Sequence, residues 1–130
     1  MIADTSFVID IMAKDLAAIG KARQLEREDE TITVGSPTVF ELFAGVALSR
    51  KAVEEKSKIM TILSSLPQLA LDFPSAREGG MIYGEKIKTG RAIDPEDAML
   101  AGIAKAKAER VLTRNIKHFS GIEGVTVETY

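Results

Sequence analysis

An α/β domain, with a mostly parallel sheet covered by helices on both faces, is what this sequence predicts, and three features predict it. Short apolar segments alternate with longer stretches of helical periodicity along the whole chain, the pattern of successive β–α–β units. The 130 residues are the size of one compact domain. No repeat, low-complexity tract or linker divides them, so residues 1–130 are read as a single domain.

The elements follow in order. Met1-Ile2-Ala3-Asp4 is long enough only for the end of a buried strand. Thr5 or Ser6 then suits a helix cap, and Phe7-Val8-Ile9 with Ile11-Met12 suits a short buried helix. From Asp15 to Glu28 the pattern is helical, with Leu16, Ile19, Ala22 and Leu25 expected along one face. Thr31-Ile32-Thr33-Val34 alternates polar and apolar before Gly35, as a strand does. Ser36-Pro37 is a helix start with Pro in the first turn. The helix that follows, Thr38 to Leu48, is apolar almost all round. An amphipathic helix covers Ala52 to Leu66, Pro67 ends it, and Leu69 to Phe73 reads as a strand. Pro74 starts a helix that runs to Lys88 and is closed by Thr89-Gly90. Asp94-Pro95-Glu96-Asp97 opens the next, through to Ala108. Arg110 to Thr113 and Val125 to Glu128 are the last strands.

Composition narrows the function. With no Cys and one His, thiolate chemistry, disulfides and Cys/His zinc sites are excluded. Any metal site must therefore be rich in oxygen, which points to Mg²⁺ or Mn²⁺. The 17 basic and 19 acidic residues nearly cancel, so nucleic acid would be gripped by a local patch or a metal site rather than by the bulk field. No apolar run approaches the ~20 residues that cross a bilayer. Asp4 and Asp10 interrupt the layout of a signal peptide. A cytoplasmic location without membrane contact is the expectation.

Three acids stand in apolar surroundings. Asp4 closes the first strand, Glu41 is the sole charge between Thr38 and Leu48, and Asp97 leads into Ala-Met-Leu-Ala-Gly-Ile-Ala. A carboxylate desolvated in such company is costly unless it is paired, protonated or bound to a metal. In open parallel sheets, ligands sit beyond the C-terminal strand ends, where loops and helix starts meet. All three acids fit that position, and a divalent cation would relieve their repulsion. Plainer roles compete. Asp4, Asp94 and Asp97 also fit helix capping, Asp94 best of all, and Glu41 fits a salt bridge to a distant Arg or Lys.

Four segments together resemble the PIN-domain family, especially the VapC-type toxins of toxin–antitoxin pairs. They are Met1 to Asp10; Thr38-Val39-Phe40-Glu41-Leu42; Gly90 to Ile93 with Asp97 to Ala104; and Leu112 to Phe119. The resemblance spans essentially the whole chain. It implies a five-stranded parallel sheet and a metal-dependent endoribonuclease using Asp4, Glu41 and Asp97 as catalytic metal ligands. Asp94 is an outer helper, and Thr5 and Ser6 orient the ligands. It further implies hydrolysis of RNA by a metal-activated water, a cognate antitoxin and a homodimer. The family's fourth acid falls here on Asn115, with His118 where many members carry Asp. Asn115 holds a water or a phosphate without a carboxylate's charge, which leaves open one ion or two.

Arg91, Arg114 and Lys117 flank the site in sequence and either draw in RNA or are ordinary solvated charge. His118 reads as structural or phosphate-contacting rather than as a general acid. The apolar residues Phe40, Phe43, Ile59 and Leu63 suit either a dimer or antitoxin surface or interior packing. Lys88-Thr89-Gly90 lacks the Ser-x-x-Lys partner of a penicillin-binding enzyme. Gly79, Gly80 and Gly84 lie in a helical pattern and make no nucleotide loop. Two rival readings are a PIN-like interaction domain without catalysis and an aspartate phosphatase or receiver. The phosphatase needs a second Asp at position 6, which is Ser.

Overall fold

Successive strand residues point to opposite faces of a sheet, and here each face carries its own core. In the computed structural model, which describes residues 1–130, Ala3 and Leu112 pack into one cluster with Phe7, Val8, Leu25, Leu42 and Leu63. Their strand neighbours Ile2 and Val111 pack into a second cluster with Ile82, Leu100, Ile103 and Phe119. A strand buried on both faces is apolar at successive positions, which is why Ile2-Ala3 and Val111-Leu112 show no alternation.

The chain runs β1 (Ile2–Ala3), α1 (Thr5–Met12), α2 (Leu16–Arg27), β2 (Thr33–Gly35), α3 (Ser36–Leu48), α4 (Ala52–Ser64), β3 (Gln68–Leu69), α5 (Phe73–Lys88), α6 (Pro95–Lys107), β4 (Val111–Leu112), α7 (Ile116–Phe119) and β5 (Val127–Glu128). The five strands stand in the order β3-β2-β1-β4-β5. Every pairing is parallel, with Ala3 opposite Val34 on one side and Leu112 on the other. Helices α1 to α4 supply the first cluster, and α5, α6 and α7 supply the second. No helix is long and apolar enough to cross a membrane.

Two helices on the second face approach unusually closely. A Cβ built on Gly102 of α6 would lie 2.3 Å from the Ser75 carbonyl oxygen and 2.5 Å from the Gly79 amide of α5. Only glycine fits there, and this contact fixes α6, with Asp97 in its first turn.

Some expectations need correction. The third strand stops at Leu69. Asp72 caps α5 instead, its Oδ1 accepting from the Ser75 amide at 3.1 Å, so Phe73 is helical. Helix α7 is absent from the sequence reading; at four residues it is too short for periodicity to reveal. Leu16 is 85% exposed while Leu25 is buried. Nine residues at about 100° each bring the helix to the opposite side, so the two leucines do not share a face. Ile59 and Leu63 are core, which removes them from any docking surface, whereas Phe40 is 65% exposed.

Candidate active site

Strands β1 and β4 are neighbours, yet the chain leaves β1 towards β2 on one side and returns to β4 on the other. That reversal is the topological switch point, where loops splay apart and leave a crevice beyond the strand ends. Asp4 follows β1 directly and Thr113 follows β4, so the register Ala3 to Leu112 sets them face to face. Thr113 Oγ1 donates to Asp4 Oδ2 at 2.8 Å, and Ser6 Oγ donates to the same oxygen at 3.0 Å. Both bonds land on Oδ2, and Oδ1 has no protein partner.

Glu41 arrives from α3. Pro in the first turn starts this helix directly after β2, and Thr38, Leu42 and Val46 form its buried stripe. Glu41 lies beside that stripe, where Thr5 Oγ1 donates to its Oε1 at 3.0 Å. Asp97 stands in the first turn of α6, 8% exposed. Its Oδ2 lies 3.0 Å from His118 Nδ1.

Glu41 and Asp97 both sense the Asp4 charge. Burial pushes the Asp97 carboxyl up to about 6, the Asp4 charge adds to this, and His118 opposes it. Glu41 is raised as well, first by burial; the Thr5 hydrogen bond works against this, and the Asp4, Asp97 and Glu96 charges work with it. No Arg or Lys pairs with Asp4, Glu41 or Asp97, so the salt-bridge reading of Glu41 fails. Capping fails too. Asp4 and Asp94 hold the N-cap positions of α1 and α6, but neither side chain makes a capping hydrogen bond. Asp94 instead lines a cleft of about 410 Å³ together with Asp97 and His118.

By donor chemistry the set fits a hard divalent ion: carboxylate oxygens, negative charge left unbalanced and partial burial. The side chains do not form a finished cage, since no three acidic or imidazole groups stand close enough to hold an ion as they are.

The remaining expected residues divide. Thr5 and Ser6 touch the acids as described, and Arg91 lines the cleft. Asn115 is drawn in by its backbone, its amide donating to Thr113 Oγ1 at 2.9 Å. Arg114 turns away: its guanidinium donates to Asp10 Oδ1 at 2.6 Å. Tyr130 donates to the other oxygen of Asp10, also at 2.6 Å, and its ring meets Phe7 edge-on at 5.2 Å. Burial and Asp10 drive the Tyr130 hydroxyl far above its usual range.

Sequence reasoning missed Thr113, Lys86, Asp10 and the contact of His118 with Asp97. The buried Asp10 carried a signal, being a charge among Phe7, Val8, Ile9 and Ile11. Thr113 carried none until β4 was known to lie beside β1.

Comparison with known proteins bears on the family and the fold. A family model described as PIN domain matches residues 1–124. The chain is 28% identical over 97 residues to the tRNA(fMet)-specific endonuclease VapC of Shigella flexneri, covering 75% of this chain and 74% of that protein. It is 26% identical over 127 residues to Ribonuclease VapC2 of Rickettsia felis, covering 98% and 95% respectively. Among solved structures, VapBC2 from Rickettsia felis bound to a DNA fragment from its promoter superposes with a TM-score of 0.89 at 25% identity, over 99% of this chain and 97% of that one. DNA-bound VapBC from Salmonella typhimurium gives 0.86 at 26% identity, over 98% and 96%.

Proposed function

The chain belongs to the PIN-domain family, and from that premise we propose that it is an endoribonuclease, the VapC-type toxin of a toxin–antitoxin pair, with its active centre at Asp4, Glu41 and Asp97. One observation carries the assignment of the centre. Burial and the Asp4 charge raise the proton affinity of Glu41 and Asp97 at the switch point, and no Arg or Lys pairs with any of the three acids. Such an arrangement is unfavourable by itself and becomes favourable with a cation.

Asp4, Glu41 and Asp97 would hold Mg²⁺ or Mn²⁺, with Asp94 at the rim. When bound, such an ion makes an attacking water more acidic and stabilises charge on the phosphodiester. The protein's own groups prepare the site. Thr113 and Ser6 fix the rotamer of Asp4 by occupying Oδ2, which would leave Oδ1 available to an ion. Thr5 does the same for Glu41, leaving Oε2. His118 orients Asp97 through Oδ2. Second partners of this kind tune ligand geometry. Asn115 adds a neutral polar group at the position of the fourth acid, which favours one tightly held ion over two.

Relatives assembled as VapBC complexes support a cognate antitoxin as the protein partner. The exposed Phe40 and Met99, which share an apolar groove, support a homodimer contact. The lack of cysteine supports a cytoplasmic setting, with residues 1–130 working as one domain.

The test is cleavage of RNA in Mg²⁺ or Mn²⁺ by the native chain, Asp4→Asn and Glu41→Gln. Each variant is expected to lose activity by at least about a hundredfold, and undiminished cleavage in either one refutes the assignment. The rival, a non-catalytic PIN-like interaction domain, draws on Asn115 and on the absence of a ready-made cage. Calorimetric titration with Mn²⁺ separates the two, since only the nuclease reading requires binding that Glu41→Gln abolishes.

A further inference from the structure

The cleft containing Asp94 and Asp97 has a second wall of opposite charge, formed by Lys86, Arg91 and Lys117. Local chemistry brings two of these cations together. Helix α5 ends at Lys88, and Gly90 takes a left-handed φ of 71°. The Gly90 amide then donates to the Ile87 carbonyl at 3.1 Å and the Arg91 amide to the Lys86 carbonyl at 2.9 Å. This paired closure doubles the chain back over the last helical turn, setting Arg91 beside Lys86. Lys117 comes from α7, beyond β4.

Several cations elsewhere in the chain are held in ion pairs. Lys21 and Arg110 are bound to Glu128, Lys105 to Glu78, Lys107 to Asp72 and Arg114 to Asp10. Lys86, Arg91 and Lys117 make no ion pair, although two acids line the same cleft. Their charge is left available, and it converges on one concave site.

We infer that this wall grips the backbone phosphates next to the bond being cut, so that the cations hold the RNA while the carboxylates do the chemistry. The inference rests on the endoribonuclease reading. Besides the imidazole of His118, no aromatic side chain lines the cleft, so stacking contributes little. Affinity then comes from phosphate contacts, which position a strand without reading its sequence.

Binding of a fluorescein-labelled single-stranded RNA, followed by anisotropy in EDTA over a range of salt, tests this without turnover. Lys86→Ala, Arg91→Ala and Lys117→Ala should each weaken binding roughly three- to tenfold and flatten the slope of log affinity against log salt by about 0.7. The double variant Lys56→Ala/Lys58→Ala, at two exposed positions of α4, should change neither. Circular dichroism melts matching the native chain exclude misfolding as the cause. If the native chain cleaves RNA while the three variants keep native affinity and slope, the wall is not the grip and the nuclease reading stands. If the native chain neither binds nor cleaves RNA, both readings fall.

Discussion

Replacing Asp97 by Asn removes a charge that the fold resists, while nearly preserving the shape of the side chain. In the native protein the carboxyl is pushed up from its usual 3.8 to about 6, chiefly by burial and then by Asp4. The folded state therefore holds this proton more tightly than the unfolded chain. Stability is greatest below the unfolded value and falls as pH rises through the window from 3.8 to about 6. Above that window the full penalty applies. A shift of roughly two units corresponds to about 3 kcal/mol. The carboxylate opens onto the cleft, where solvent screening reduces this to roughly 1–2 kcal/mol. In urea denaturation with EDTA, Asp97→Asn should exceed the native chain in stability by that amount at about pH 8 and match it near pH 4. The amide oxygen of the variant side chain can still accept from His118, so that contact survives the change. Adding Mn²⁺ should reverse the order, because an ion that binds only the folded native site stabilises it by mass action. A variant less stable than the native chain at the higher pH in EDTA, or one whose pH profile runs parallel to it, would refute the reasoning.

Tyr130→Phe keeps the ring against Phe7 but removes one of two hydrogen bonds to the buried Asp10. A loss of about 1–2 kcal/mol is expected in urea denaturation, and an unchanged midpoint would show that Arg114 alone satisfies Asp10. Gly102→Ala drives a methyl group into the backbone of α5 at 2.3 Å. It should cost about 3 kcal/mol or more, and RNA cleavage should fall with it because α6 carries Asp97; a native-like melting curve contradicts the close packing. Leu16→Lys, at a position 85% exposed, should leave stability within about 0.5 kcal/mol. A larger loss would mean that this side chain packs after all.

Local chemistry is written in neighbouring residues, and so it was readable. Pro37, Pro74 and Pro95 marked helix starts and Gly90 marked a helix end, because a restricted φ or a positive φ is a property of the residue itself. Asp4, Glu41 and Asp97 stood out because each was a charge in an apolar stretch, and desolvation is costly wherever the chain folds. Long-range pairing is a different kind of fact. Thr113 meets Asp4 across 109 positions, and the Asp10 cluster joins α1 to Arg114 and Tyr130. Nothing within a few residues of any of these specifies the partner. The strand order decides it, and strand order depends on which apolar faces can be buried together once the whole chain is closed. The same holds for capping: Asp94 sits at a helix start like any capping residue, and only the surrounding structure leaves its carboxylate for the cleft. Residue types in their order were thus enough to specify the alternation of strands and helices and to single out three acids in apolar surroundings. Which hydroxyls hold those acids, and which cations face them, became visible only in the folded chain, because those contacts join segments that loop closure, not local preference, brings together.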